Sequence, residues 1–195
     1  MNERTEKGST TRQRIVAAAR RKFTDVGYEE TSVEGLLGDL QISRGALYHH
    51  FDSKEKIFEA VFEAVEADIA KAIVGATRGI ADPVEALRTG CDAFLRLARD
   101  QTVRSIVLVD APAVLGWQKW REIDARYGFG LLQASLRAAA ANGRSRPDLT
   151  DMFAHILLAA LMETALVIAR ASNTAAATRN GRAAIKELIQ RLLGE

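Results

Sequence analysis

The chain has 195 residues, a single cysteine and a formal net charge of +2. That length allows one domain or two small ones, with a core that needs no covalent staples. One cysteine excludes an intrachain disulfide and fits a reducing, cytoplasmic setting. The near-balanced charge excludes any case for nucleic-acid binding from overall charge alone. Apolar residues make up 48% of the chain, aromatics 6%, and there are three prolines, a balance that favours an all-α protein.

Charge is spread unevenly. Between Met1 and Tyr28, Arg4, Lys7, Arg12, Arg14, Arg20, Arg21 and Lys22 stand against Glu3, Glu6 and Asp25, a local excess of +4. Such a segment suits a phosphate-facing surface and equally a solvated helix face. Residues 1–8 are polar, without the apolar core of a secretory leader, and are expected to form a loose tail. A first helix is expected from Ser9, Thr10 or Thr11, carrying Ile15, Ala18, Ala19 and Phe23 at helical spacing and stopping at Gly27. Residues 28–30 would form a link.

Thr31 or Ser32 caps a short second helix with Val33, Leu36, Leu37 and Leu40 as its apolar face. Gln41 and Ile42 lead straight to Ser43, a further capping residue. Leu47 and Phe51 then point inward at i, i+4. Two short helices around so tight a turn predict a helix-turn-helix. Asp52 or Ser53 caps a long fourth helix with Glu55 in its first turn and Ile57, Phe58, Val61, Phe62, Val65, Ile69 and Ile73 on one stripe. Gly75, Gly79 and Asp82-Pro83 mark its end. A fifth helix carries Val84, Leu87, Cys91, Phe94, Leu95 and Ala98.

Residues 103–109 fit helix or strand by period; with nothing nearby to pair as a sheet, helix is expected, interrupted at Asp110-Ala111-Pro112. One helix should then run from about Trp117 to Ala141, stopped by Asn142-Gly143. The helix at 150–171 is apolar nearly all round, although it holds His155 and Glu163. Such a helix must be covered on more than one side, and a second copy of the chain is the natural cover. The expected homodimer interface is formed by helices near 150–171 and 180–193, with Leu161 and Leu192 among its positions. No membrane association is expected. Residues 174–178 look like an Ala-rich linker before the last helix.

A helix lying in the major groove needs small residues at its N-terminus and donors that reach bases and phosphates. Gly45 and Ala46 are small. Arg44 can reach guanine acceptors or a phosphate, and Ser43 offers a hydroxyl. Tyr48 suits a phosphate, His49 a base or a thymine methyl, and His50 a phosphate. Thr31 and Lys54, at the starts of flanking helices, are expected to clamp the backbone on either side. Adjacent histidines point about 100° apart on a helix, with no Cys or third His nearby. No metal site and no cofactor is expected.

The run Thr31-Ser32-Val33 followed by Ile42-Ser43-Arg44-Gly45-Ala46-Leu47-Tyr48-His49-His50-Phe51-Asp52-Ser53-Lys54-Glu55 resembles the DNA-binding domain of TetR-type transcriptional regulators. The similarity extends over about residues 10–65. It implies an all-α homodimer of about nine helices. The N-terminal helix-turn-helix unit, placed here at 1–52, would precede a ligand-binding and dimerisation unit at 53–195. It further implies that a small-molecule effector changes the distance between two recognition helices. Leu37, Leu40 and Gln41 depart from the family pattern, which has smaller residues and a turn glycine there. A left-handed Gln41 would cost about 1 kcal/mol against glycine, and Gly35 and Gly38 weaken the same helix by about 0.8–1 kcal/mol each.

Residues 109–121 also resemble a segment of one subgroup of these regulators. Candidate effector contacts, chosen as apolar or polar anchors of a pocket, are Phe62, Cys91, Phe94, Trp117, Trp120, Tyr127, His155, Met162 and Glu163. His155 and Glu163, eight residues apart, share a face that suits a pocket or a dimer contact. The leading expectation is a ligand-responsive regulator, most simply a repressor, binding double-stranded DNA at a palindromic operator. An all-α enzyme would draw on Cys91, Asp110, His155 and Glu163, yet the sequence has no phosphate-cradling loop, zinc spacing or nucleophile elbow. A structural DNA binder without a ligand would need a solid C-terminal core.

Overall fold

The helix starts follow the local chemistry of the sequence. In the computed structural model, which describes residues 3–193 and side chains from Thr10 on to Leu193, five N-caps bond their own first turn, the last being Asn173, which accepts from Ala176. Ser32, Ser43 and Ser53 accept from the amides of Gly35, Ala46 and Lys56, and Asp82 accepts from Glu85. Each satisfies one of the donors that a helix start leaves unpaired. The described residues form α1 (Glu3–Glu30), α2 (Val33–Leu40), α3 (Arg44–Tyr48), α4 (Lys54–Thr77), α5 (Pro83–Leu97), a π-helical segment (Val103–Asp110), α6 (Ala111–Arg126), α7 (Gly128–Ala141), α8 (Thr150–Arg170) and α9 (Thr174–Leu192), with no strand among them.

Helix α4 is the spine. It packs against α1 on one side and against α5, α6, α7 and the π segment on the other. Phe23, Tyr28 and Phe58 join α1 to α4 through ring contacts of 5.2–5.7 Å. Ile15, Ala19, Leu36, Leu47, Phe51 and Ile57 close the core of the N-terminal unit. Beyond it, α8 lies between α7 and α9, with Ala154, Leu157, Leu158, Leu161, Ala165 and Ile168 buried.

Several boundaries differ from expectation. Helix α1 begins at Glu3, so residues 3–8 are helical; Met1 and Asn2 lie outside the described residues. Its regular winding does break at Gly27, where φ is 82° and ψ 172°. Pro112 interrupts nothing. It sits in the first turn of α6, where a missing N–H is harmless, and the break falls at Gly116, with φ 70°. The single helix expected from Trp117 to Ala141 is two helices, separated at Tyr127 (φ −124°, ψ −103°). There the chain turns so sharply that a Cβ on Gly130 would lie 2.7 Å from the Ala125 carbonyl oxygen. The apolar period runs unbroken through the corner and hides it. Residues 174–178 are not a linker but the first turns of α9, capped by Asn173.

The π segment joins the N-terminal unit to the rest. Thr24 Oγ1 meets Thr102 Oγ1 at 3.2 Å, Gln101 Nε2 and Ser105 Oγ donate to the Thr24 carbonyl at 3.2 and 3.4 Å, and Tyr28 N donates to Asp110 Oδ2 at 3.0 Å. A pair one turn apart on α1, Thr24 and Tyr28, thereby meets a pair five residues apart, Ser105 and Asp110. Hydrogen bonds from i to i+5 put residues five apart on successive turns, which is the winding this contact requires.

Candidate functional site

The turn before α3 carries the one non-glycine residue with positive φ among the described residues. Gln41 adopts φ 53° and ψ 43°, the left-handed turn anticipated for it. Leu36 and Leu47 are fully buried beneath this turn. The helix-turn-helix is thus seated by apolar contact despite the missing glycine.

Helix α3 spans five residues, and its outward side is polar. Ser43, Arg44, Gly45, Tyr48 and His49 are exposed, while Ala46 and His50 are half-buried. The Arg44 guanidinium pairs with Glu34 of α2 and lies 6.0 Å from the Tyr48 ring centre. His49 and His50 follow the helix with ring centres 5.1 Å apart. Arg12 of α1 stacks over Phe51 at 5.1 Å and borders the same depression as His50. Of the other basic residues near the N-terminus, Arg20 and Lys22 reach Asp68 and Asp39 at 2.5 and 3.2 Å. Arg4 and Lys7 precede the described side chains.

Thr31 and Lys54 are placed differently from expectation. Thr31 is 2% exposed, and its hydroxyl donates to the Gly27 carbonyl at 2.8 Å. The Lys54 ammonium donates to the carbonyls of Tyr28 and Thr31 at 2.8 and 3.1 Å and sits 4.0 Å from the Tyr28 ring centre. Both side chains finish the end of α1 and tie it to the start of α4; neither stands outward as a phosphate clamp. Lys54→Met should therefore lower folding stability by about 1.5–3 kcal/mol, the range for hydrogen bonds from a charged donor. A thermal midpoint unchanged from wild type would show that these contacts contribute nothing.

A cavity of about 90 Å³ lies between α4, α5, α6, α7 and α8. Of the expected effector contacts, Cys91, Phe94, Trp120 and Met162 line it. The other five do not. Phe62 is core, and Tyr127 directs its hydroxyl to Glu63 at 3.3 Å. Trp117 is 67% exposed. His155 and Glu163 lie on the outer side of α8, although the His155 ring meets Phe129 at 4.6 Å.

Two acids missing from the expected set line the cavity, Glu66 and Asp124. Both are buried, at 4% and 5% exposure. They converge near Gly128, whose Cβ position would be 3.7 Å from Glu66 Oε2 and 3.4 Å from Asp124 Oδ1. Each had a trace in the sequence. Glu66 interrupts the α4 stripe of Phe62, Ile69 and Ile73, and Asp124 follows Trp120 by four residues.

Burial, then the nearby Asp124 charge, pushes the Glu66 carboxyl up to about 8. Burial also raises Asp124, against the opposing pull of Arg121 at 3.3 Å. The Cys91 thiol is pushed up by burial to about 12 and stays protonated. Between the ordinary glutamate value of 4.5 and about 8, the folded chain holds a proton that the unfolded chain has lost. Stability therefore falls as pH rises through that window. Glu66→Gln should remove this decline and be the more stable protein above pH 8. Denaturant unfolding at several pH values measures the difference, and parallel profiles for the two proteins would refute the effect.

The outer face of α8 carries Met152, Ile156, Ala159, Glu163 and Val167 at helical spacing. Met152, Ile156 and Val167 are 60%, 44% and 55% exposed. Leu161, expected at an interface, instead lines the cavity and is 3% exposed. The segment Pro147–Arg170 is long and apolar enough to cross a membrane, with mean hydropathy 2.0. Here it is a core helix with one uncovered stripe.

Residues 84–192 match the family model described as the tetracyclin repressor-like C-terminal domain, and residues 15–61 match that of the bacterial regulatory proteins of the tetR family. The chain belongs to the TetR family. Among TetR-family relatives, the Transposon Tn10 TetC protein of Escherichia coli is 22% identical over 165 residues, covering 85% of this chain and 83% of its own. The transcriptional repressor NicS of Pseudomonas putida is 27% identical over 166 residues, covering 81% and 76%. A solved TetR-family regulator from Pectobacterium atrosepticum superposes with a TM-score of 0.82 at 29% identity, over 100% of this chain and 99% of that one. As a TetR-family protein this chain is a ligand-responsive, DNA-binding transcriptional regulator and not an enzyme. The residues an enzyme would have drawn on are placed apart: Asp110 at the α1 junction, Cys91 in the cavity wall, His155 and Glu163 outside α8.

Proposed function

We propose that the protein is a cytoplasmic repressor. Two copies, joined through α8 and α9, would hold a palindromic operator and leave it when a small molecule fills the cavity. Residues 1–52 form the reading unit and 53–195 the sensing and pairing unit, with α4 packed into both. Arg44, Gly45 and His49 face bases, Tyr48 and Ser43 hold the phosphate backbone, and Ala46 leaves room for close approach. His50 and Arg12 extend the basic edge. Thr31 and Lys54 set the angle of the unit from within.

The observation that carries this reading is the position of the π segment. Its Val107 lines the cavity, and its Ser105 and Asp110 hold Thr24 and Tyr28 of α1. A ligand that displaces Val107 must move the frame on which α3 is mounted. The cavity itself argues against a purely structural DNA binder, whose core would be filled.

Selection of bound duplexes from a random pool, with and without candidate metabolites, tests the proposal. A palindromic site with half-sites about one helical turn apart, or a larger spacing for subunits set further apart, is expected. Affinity for that site should drop steeply with salt, since phosphate contacts release counterions. Failure to enrich any site, or an affinity indifferent to salt, would overturn the reading.

A further inference from the structure

The cavity has an electrostatic character that the regulator reading does not specify. Its wall is mostly apolar, built from side chains such as Ile69, Leu87, Phe94 and Leu161, and no Lys, Arg or His lines it. The charged groups it does hold are the carboxyls of Glu66 from α4 and Asp124 from α6. Arg121 neutralises Asp124, while its guanidinium is stacked against Trp117 and Trp120 at 4.6 and 4.9 Å and is not part of the cavity wall. Glu66 has no such partner; its charged neighbour is another acid. Trp120, 6% exposed and in the same wall, has an indole Nε1 that is buried with no hydrogen-bond partner. An unmet buried donor is costly.

We propose that the effector is a small organic monocation, a protonated amine with a compact apolar body, whose ammonium is held between Glu66 and Asp124. The inference rests on the regulator reading for the site and adds the ligand's charge and size. An anion would meet Asp124, and Glu66 once it ionises, with no cation in the wall to receive it, an arrangement that rejects it. A cation makes charge-assisted hydrogen bonds, about twice as strong as those of a neutral donor. The volume limits the body. About 90 Å³ is smaller than the apolar cavity of roughly 150 Å³ that admits benzene in an engineered core. A short branched alkyl group fits.

The arrangement also fixes a pH response. The other titratable groups near Glu66 are Asp124 from α6, the Cys91 thiol from α5, and the Tyr127 phenol, which bonds Glu63. The parts of α7, α8 and the π segment lining the cavity carry no charged side chain. The carboxyl of Glu66, pushed up to about 8, must release its proton to receive a cation. Amine affinity should rise up to about tenfold per pH unit below pH 8 and level off above it, with a proton released on binding.

The test uses three isosteric probes on the full chain, 3-methylbutan-1-amine, 3-methylbutan-1-ol and 3-methylbutanoate, followed by calorimetry and tryptophan fluorescence between pH 6 and 8.5. The amine should bind at least tenfold more tightly than the alcohol or the carboxylate at pH 8. Its affinity should follow the pH trend in wild type, and Glu66→Gln should weaken it and flatten the trend. Asp124→Asn, with Arg121 then left without its partner, should weaken amine binding but keep the pH trend. Equal or tighter binding of the alcohol or carboxylate, a flat pH response in wild type, or no binding of any probe overturns the cation assignment and leaves the regulator reading standing. Failure of the DNA selection, with amine binding intact, would overturn the regulator reading alone.

Discussion

Arg44→Ala combined with Tyr48→Ala is expected to weaken operator binding on the order of 100- to 1,000-fold, with dimer and fold unchanged. A good bidentate base contact is worth about 1–3 kcal/mol, and loss of a phosphate anchor adds to it. The fold should not notice. Both side chains are exposed, and exposed substitutions away from special features usually change stability by less than about 0.5 kcal/mol. The Arg44 pairing with Glu34 does not hold the guanidinium back, because an exposed ion pair is worth about 0–1 kcal/mol and a base contact outweighs it. Fluorescence anisotropy on the selected operator measures the loss, and sedimentation checks the dimer. Undiminished binding by the double variant would remove α3 as the reading element.

The second large effect is expected at the opposite end of the molecule. Ile156→Arg with Val167→Arg should raise the dimer dissociation constant by about 1,000-fold or more, since a buried unpaired charge costs several kcal/mol. A two-fold interface presents every substitution twice. Both positions are about half exposed within one chain, so the monomer should keep its helical content. Operator affinity should fall with the dimer. A folded, unaltered dimer would place the pairing surface away from the outer stripe of α8. A charge at Leu161 is a different experiment: it enters the cavity wall and unfolds the core.

The contrast between these sites explains what the sequence made legible. The helix-turn-helix could be read because its signals are local. Ser32, Ser43 and Ser53 are caps three residues from the amides they bind, and Leu47 and Phe51 mark the inward face within one turn. The left-handed Gln41 was legible only through the resemblance, which places a turn glycine at that position. Thr31 and Lys54 were legible as important but not in role, because a motif does not say whether a side chain faces DNA or the end of a preceding helix. The cavity was less legible still. Glu66 and Asp124 are 58 residues apart, and only the fold brings their carboxyls to Gly128. His155 and Glu163 do share a side of α8, as their spacing required, but period alone could not tell the outside of that helix from the cavity side. The corner at Tyr127 was invisible because the apolar stripe continues through it.

The wide winding of residues 103–110 makes the joint between the two units a matter of phase. In an ordinary α-helix, Ser105 and Asp110 would point about 140° apart, and only one of them could face α1. A single-residue deletion between Ser105 and Asp110 would leave the two four residues apart, about 40° apart on an ordinary α-helix, so the tighter winding could keep both turned to α1 only at the cost of one residue of the segment. The joint is therefore tuned by residue count as well as by residue identity.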